Sequence, residues 1–373
     1  MSKPVHYHYD KFPPKSINWE KLIPLIGPAS AALARYDGTL EAIPNPAVLL
    51  SPLTTQEAVL SSKIEGTQTT MGEVLEYEAE EGGNGFPPEK KADIYEVLNY
   101  RRAMWKAVDL LDELPVCGRV IRQAHGILMD SVRGHNKSPG EYRRTQNWIG
   151  PQGSPIEKAR FVPISPDKLL GGVSAWEKYI HQTAQDKLVQ LAVLHAEFEA
   201  LHPFHDGNGR LGRMLVPLFL LNTGLIRSPM FYISEYFEGN RDEYYERLLA
   251  VSGDDDWPDW CLFFLKAVEI QATKNQEKAS SILKLYEQKK KQIHELTHSQ
   301  YTLHTLDFIF EHPIFRATEL EKAGKVPAPS AKKILSDLRK ANVISVLRKS
   351  SGRRAAVFAF TDLLNIAEGR KVF

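Results

Sequence analysis

The segment from His202 to Leu221 reads His-Pro-Phe-His-Asp-Gly-Asn-Gly-Arg-Leu-Gly-Arg and then Met-Leu-Val-Pro-Leu-Phe-Leu-Leu, and it constrains the fold more than any other. Its second half is apolar on every side, so a helix built from it has no face to offer water and must run through a core. Pro217 interrupts that run, which is also far too short to span a bilayer. The first half has the opposite character. Gly207, Asn208 and Gly209 form a flexible turn that feeds the N-terminus of a helix over about Gly209 to Asn222, with Gly224 ending it. The N–H groups of a first helical turn have no partner within the helix and point outward, and the helix dipole adds positive potential. Such a turn attracts phosphate. Arg210 and Arg213 lie three apart on one face of that helix, and two guanidinium forks beside an anion nest suit a polyphosphate. Asp206 precedes the nest, where a carboxylate can hold Mg²⁺, cap the helix, or do both. His202 has the near-neutral titration that suits a proton acceptor, and Phe204 points inward as an anchor.

Around this segment the pattern is helical. Lys21 to Tyr36, Lys91 to Leu111, Asp167 to Leu201, Arg241 to Ser252 and Trp257 to His294 all read as helices. Trp257 and Trp260 read as core. Thr54 with Glu57 makes a capping box for a helix over about 54–66, closed by Gly66. The first 19 residues carry Pro and aromatic residues without helical period and read as an extended arm. Glycines and prolines punctuate short extended runs over about 138–166, the pattern of a β-hairpin. No strand–helix alternation appears, so the fold class is mainly α: a helical bundle with one hairpin.

The tail differs. Residues 301–373 hold 13 Lys and Arg against 7 Asp and Glu, while the chain as a whole has a net charge of +1. Helices over Tyr301 to His312, Ala317 to Ala323 and Ser330 to Ala341 precede β-like runs at Val343 to Leu347 and Ala355 to Phe360, joined by a basic turn. Three helices and a two-stranded hairpin make a winged helix-turn-helix. Its basic residues, Lys332, Lys333 and Arg339 with Arg348, Lys349, Arg353 and Arg354, suit DNA, although such folds also serve as protein platforms. The expected organisation is an N-terminal helical region over 1–110, a catalytic core over 111–275, a connecting helix over 276–300 and the winged helix over 301–373.

The segment His202 to Arg213 resembles the signature of the Fic family, HxFx(D/E)GNGRxxR, at every defined position. The resemblance implies a protein adenylyltransferase that moves AMP from ATP to a Ser, Thr or Tyr hydroxyl of a target protein, or of itself, and releases pyrophosphate. It implies His202 as general base and Asp206 as the Mg²⁺ ligand. Gly207, Asn208 and Gly209 would cradle the α- and β-phosphates, with Arg210 and Arg213 gripping the phosphate chain. Gly140 to Gly150 is similar to the family's flap, on which the target docks as an added strand, with Asn147, Trp148, Ile149 and Gly150 along the nucleotide. Tyr244 and Tyr245 resemble the aromatic pair near the adenine. Ser252 stands where some relatives have Asn.

Ser61 to Gly66 resembles the family's inhibitory motif, (S/T)xxxE(G/N). Ser61 and Glu65 share a helix face, and Glu65 at the helix end could salt-bridge Arg213 in the place of a γ-phosphate. The same glutamate in some relatives positions water to remove AMP. De-AMPylation, transfer of another phosphate-bearing group, and a nucleotide-responsive DNA-binding regulator therefore stand as alternatives. A homodimer follows from the resemblance alone. Two cysteines without metal spacing and no signal-peptide pattern point to the cytoplasm, with no membrane partner.

Overall fold

The computed structural model describes residues 3–80, 85–130, 135–151, 153–350 and 355–372. In chain order the elements begin with β1 (Val5–His6), α1 (Trp19–Glu41), α2 (Pro46–Leu49), α3 (Ser51–Ile64), α4 (Met71–Ala79), α5 (Pro88–Leu111) and α6 (Gly118–Leu128). There follow β2 (Phe161–Val162), α7 (Pro166–Ile180), α8 (Lys187–Leu201), α9 (Asn208–Asn222), α10 (Ser234–Gly239), α11 (Arg241–Asp254) and α12 (Trp257–Thr297). The last elements are α13 (Thr302–Glu311), β3 (Ile314–Arg316), α14 (Ala317–Lys322), α15 (Ala328–Lys340), β4 (Ser345–Arg348), β5 (Val357–Ala359) and α16 (Thr361–Glu368). The chain is thus mainly helical. It gathers into two compact units, one of Met1–Asp37, Leu60–Thr67 and Leu98–Thr273, the other of Gly38–Val59, Gln68–Val97 and Lys274–Phe373.

The first unit is organised by α8 and α9. The apolar run of the sequence becomes α9, buried from Arg210 to Leu220, and α8 is buried along almost its whole length. Asp186 starts α8 by accepting a hydrogen bond from the Val189 N–H at 2.9 Å. That cap corrects the single helix expected over Asp167 to Leu201, which divides into α7 and α8 with a break between. Trp260 is fully buried against α8, with its indole N–H donating to the Ala192 carbonyl at 2.7 Å, and Trp257 is buried too.

Two other expectations need correction. The helix placed over about 54–66 begins earlier, at Ser51, and Thr54 already donates its N–H back to Leu50 at 3.2 Å. A capping box forms instead beyond the end of that helix, at Thr70 and Glu73, where it opens α4. The hairpin expected over 138–166 is reduced to one antiparallel bridge between Ile149 and Phe161. Phe161 spends its other edge on a parallel pairing with Val5. Gly140 and Gly153 adopt positive φ, so turns break the run before strands can lengthen.

In the second unit, β3, β5 and β4 form an antiparallel sheet in that spatial order, with a register irregularity between Val346 and Arg348. Together α13, β3, α14, α15, β4 and β5 make a group of three helices and a small sheet. Its core is Leu306, Ile309, Phe310, Phe315, Leu338 and Phe360. The connecting helix expected over 276–300 is no separate element, because α12 runs unbroken to Thr297. Arg353 and Arg354 lie outside the described residues.

Replacing Trp260 with Ala removes a fully buried side chain and its hydrogen bond from the packing of α8. The expected loss is about 3–5 kcal/mol of unfolding free energy, read from the midpoint of a urea titration.

Candidate active site

His202 terminates α8 in the left-handed region, φ 46°, and its N–H donates to Phe198 at 3.1 Å. A histidine tolerates that conformation better than most side chains, and here it turns the chain sharply toward α9. The turn is closed by Asn208, which is almost fully buried. Its Oδ1 accepts from the Phe204 N–H and its Nδ2 donates to the Phe204 carbonyl, both at 2.9 Å. Asn147 Nδ2 donates to that same carbonyl at 3.1 Å, which ties the segment before Ile149 to the turn. Gly207 has φ 80°, and a Cβ there would come within 3.0 Å of Met129 Sδ. Asp206 Oδ1 accepts from the Gly207 N–H at 2.6 Å and from Arg210 Nη2 at 3.3 Å.

Arg213 is the most enclosed charge in the site. Its Nε donates to Ser61 Oγ at 2.9 Å, and its Nη2 donates to the Ser61 carbonyl and to Glu65 Oε1, both at 2.7 Å. Burial works against the guanidinium, but Glu65 foremost, with Tyr244, Tyr245 and Glu199, together outweighs it, so Arg213 is held above its usual value. Glu65 lies directly on the first turn of α9. A Cβ at Gly209 would stand 2.2 Å from Glu65 Oε1, so only glycine admits the carboxylate there. The end of α3 is pinned further by Arg241, whose Nε donates to the Ile64 carbonyl at 3.1 Å, and by Lys63 paired with Glu238 at 2.7 Å. Gly66 follows with φ 103° and releases the chain from the helix.

These groups meet at a cavity of about 570 Å³. Glu65, His202, Gly209 and Arg213 line one part of it, and Trp148, Ile149, Gly150 and Phe161 another. Tyr245, Leu248 and Leu249 of α11 complete an apolar wall. Tyr244, expected beside the base, is instead fully buried, with its hydroxyl bonded to His195 Nε2 at 2.8 Å. Tyr245 is the member of the pair that reaches the cavity. On a helix, neighbours in sequence face about 100° apart, so only one of the two can do so. Asn147, Asp206, Gly207, Asn208 and Arg210 build and brace the turn without lining the cavity. Ser252, buried, bonds to His8 at 2.8 Å.

Burial depresses His202 to about 4 despite the opposing influence of Glu65, so its ring is neutral across the physiological range. Its Nδ1 is buried without a hydrogen-bond partner. Among the described residues, no cluster of three or more His, Cys, Asp or Glu side chains could hold a metal by itself. Asp206, half exposed, is the one carboxylate of the turn, so an ion there would complete its shell from phosphate oxygens and water.

Three residues of the site escaped the sequence. His125 stacks on Phe204 with ring centroids 3.8 Å apart, accepts from the Gly140 N–H on Nδ1 at 2.8 Å, and donates from Nε2 to the Asp206 carbonyl at 3.1 Å. That fixes its tautomer, and burial lowers it to about 4. Arg143 is buried and donates to the carbonyls of His202, Thr145, Ile164 and Leu201, which binds the flap segment to the end of α8. Glu199 lines the cavity, with Oε1 buried and unpartnered. A Cβ at Gly212 would come within 2.2 Å of that oxygen. Burial raises Glu199 to about 8; Arg213 opposes this and Glu65 adds to it. The only sequence signal for these three was a Glu three residues before His202 and an Arg in the flap segment, neither distinctive alone.

Comparison with known proteins places the chain. Residues 23–109 match the Fic/DOC family N-terminal model and residues 115–220 the Fic/DOC family model. The chain belongs to the Fic/DOC family. It is 26% identical over 151 residues to the protein adenylyltransferase fic-1 of Caenorhabditis briggsae, covering 37% of this chain and 27% of that one. It is 30% identical over 87 residues to a probable protein adenylyltransferase of Aquifex aeolicus, covering 22% and 27%. The chain thus spans about a quarter of the length of the curated relatives it matches. In fold it is similar to a Fic family protein from Desulfovibrio desulfuricans, at TM-score 0.58 and 20% identity over 94% of this chain and 98% of that one.

A carboxyl raised by burial destabilises the fold where the unfolded chain has lost its proton and the folded chain has not. Unfolding free energy should therefore fall as pH rises from about 4.5 to about 8, the ordinary and folded values for Glu199. Glu199→Gln should flatten that slope and leave the variant more stable at pH 8, as followed by urea titrations at several pH values.

Proposed function

We propose that the protein transfers AMP from ATP to a hydroxyl of a protein, and that Glu65 restrains it. The carrying observation is the bond from Arg213 Nη2 to Glu65 Oε1, with that carboxylate lying over Gly209 at the start of α9. A carboxylate in that position uses the hydrogen-bonding and dipole environment that a terminal phosphate would use, so the two compete. With Glu65 displaced, Arg213 and the first turn of α9 hold the phosphate chain, and the apolar wall with Tyr245 takes the base. The target hydroxyl oxygen attacks the α-phosphorus, its proton passes to neutral His202, and the bond to the β-phosphate breaks to release pyrophosphate. Mg²⁺ held by Asp206 would neutralise phosphate charge as it shifts to the leaving group. The protein's share of the rate is positioning and charge stabilisation in an enclosed site.

Two secondary readings have support of their own. Glu65 and His202 line the same cavity, which suits removal of AMP with Glu65 orienting water. On α15, Lys332, Lys333, Arg339 and Lys340 are exposed, which suits a DNA phosphate backbone. Binding that weakens steeply with salt, and weakens further in Lys332→Ala/Lys333→Ala, is the expected result in a DNA shift assay.

With α-labelled ATP and Mg²⁺, the Glu65→Gly protein should gain one AMP group by intact mass, at a rate at least about tenfold above the parent. Glu65→Gly/His202→Ala should gain none. Unchanged labelling in Glu65→Gly would remove the restraint from the reading. The acid limb of kcat for Glu65→Gly should lie below pH 5 rather than near the ordinary value of 6.5, because burial holds His202 at about 4 and Glu65, which raises it, is gone.

A further inference from the structure

A parallel pair of two-residue strands is too short to persist unaided. Yet β1 sits in register on β2, with the Val5 N–H on the Arg160 carbonyl at 3.2 Å and the Tyr7 N–H on the Val162 carbonyl at 2.9 Å. The opposite edge of the same strand carries the flap. Ile149 N–H donates to Phe161 at 2.9 Å, and Arg160 N–H donates to Ile149 at 2.8 Å. Phe161 and Ile149 both line the cavity. The wall that faces the nucleotide in the proposed reading is therefore one narrow strip, flanked by the flap on one side and the N-terminal arm on the other.

What holds the arm is a buried polar cluster. Tyr7 hydroxyl donates to Glu197 Oε1 at 2.6 Å, His8 Nε2 pairs with Glu197 Oε2 at 2.8 Å, and His8 Nδ1 pairs with Ser252 Oγ at 2.8 Å. All four residues are buried. Glu197 lies on α8, five residues before His202, and Ser252 lies on α11, which carries Tyr245 and Leu249. Both oxygens of a carboxylate buried in the catalytic helix are thus satisfied by two consecutive residues of the arm. Stripping the arm away would leave that carboxylate unpaired in the core, the costly arrangement for a buried charge. The sequence Ser252, His8, Glu197 has the hydrogen-bond order of a hydrolase triad, but none of the three lines the cavity. The cluster is a clamp, not a reaction centre.

We infer that Tyr7 and His8 are positioning residues for the active site: clamped by Glu197 and Ser252, they hold the Phe161 edge and so set the flap against the nucleotide. The inference rests on the reading of the cavity as a nucleotide site, and its first test is independent of that reading. Amide exchange at Ile149 and Phe161 in His8→Ala should accelerate by about tenfold or more, while α9 amides keep their protection. In the Glu65→Gly background, His8→Ala should raise KM for ATP about tenfold and lower kcat less than about threefold. His8→Gln keeps a donor for Glu197 and should recover most of the loss. Should His8→Ala fail to fold, Ser252→Ala, which spares both Glu197 bonds, should show the same exchange pattern at about two- to fivefold. Unchanged exchange at Ile149 and Phe161 in a folded variant, or a fall in kcat with KM constant, overturns the inference. Faster exchange in a Glu65→Gly chain that ignores ATP would uphold the clamp and count against the nucleotide reading instead.

Discussion

Arg213 brings a full positive charge into a place that water does not reach. The apolar run that makes α9 a core helix drags its first two turns into the interior with it, so the arginine has no retreat to solvent. A guanidinium in that position requires an anion and several acceptors, and an unpaired one would cost several kcal/mol. The last turns of α3 supply them as a set: Ser61 through hydroxyl and carbonyl, Glu65 through its carboxylate. The same requirement makes Glu65 replaceable only by another anion.

The glycines of α9 follow from that constraint. Gly209 admits the Glu65 carboxylate and Gly212 admits the Glu199 carboxyl, each at a distance where a methyl group could not fit. Two acidic side chains therefore lie against the first turns of one helix that also carries Arg213. They cannot both be ionised at low cost. Glu65 keeps the contact with the guanidinium, and burial leaves Glu199 with its proton at neutral pH. The flexible turn read from the sequence has, at these two positions, a steric purpose as well as a conformational one.

The turn itself was legible because its chemistry is local. His202, Asp206, Gly207, Asn208, Gly209, Arg210 and Arg213 sit within twelve residues, and each acts on its neighbours. Glu65 was legible for the same reason, since the spacing to Ser61 is a helical one. What stayed hidden acts across the fold. His125 and Arg143 work through backbone carbonyls and amides far along the chain, and nothing in a single sequence marks which carbonyl a buried arginine will find. Tyr244 and Tyr245 could not be told apart until the rotation of α11 was known. The hairpin was overestimated because Gly and Pro signal turns well and strand length poorly. The start of α3 was missed because Ser51 and Pro52 open the helix a turn before Thr54.

Helix α8 shows why the arm and the active site belong to one problem. Glu197 and Glu199 are two residues apart and so point to nearly opposite sides of the helix. One side meets α9, where His195 donates to the Gly212 carbonyl and Glu199 packs on Gly212. The other meets the arm, where Tyr7 and His8 take up both oxygens of Glu197. His202 caps the helix between these two attachments, with its backbone carbonyl held by Arg143. A helix fixed on both flanks holds His202 in place, because rotation of α8 by a few degrees would carry the residue with it. The polar groups buried along α8 add little net stability, since burial of charge and pairing nearly cancel. Their contribution is to leave the helix a single orientation, and with it a single placement of the His202 ring.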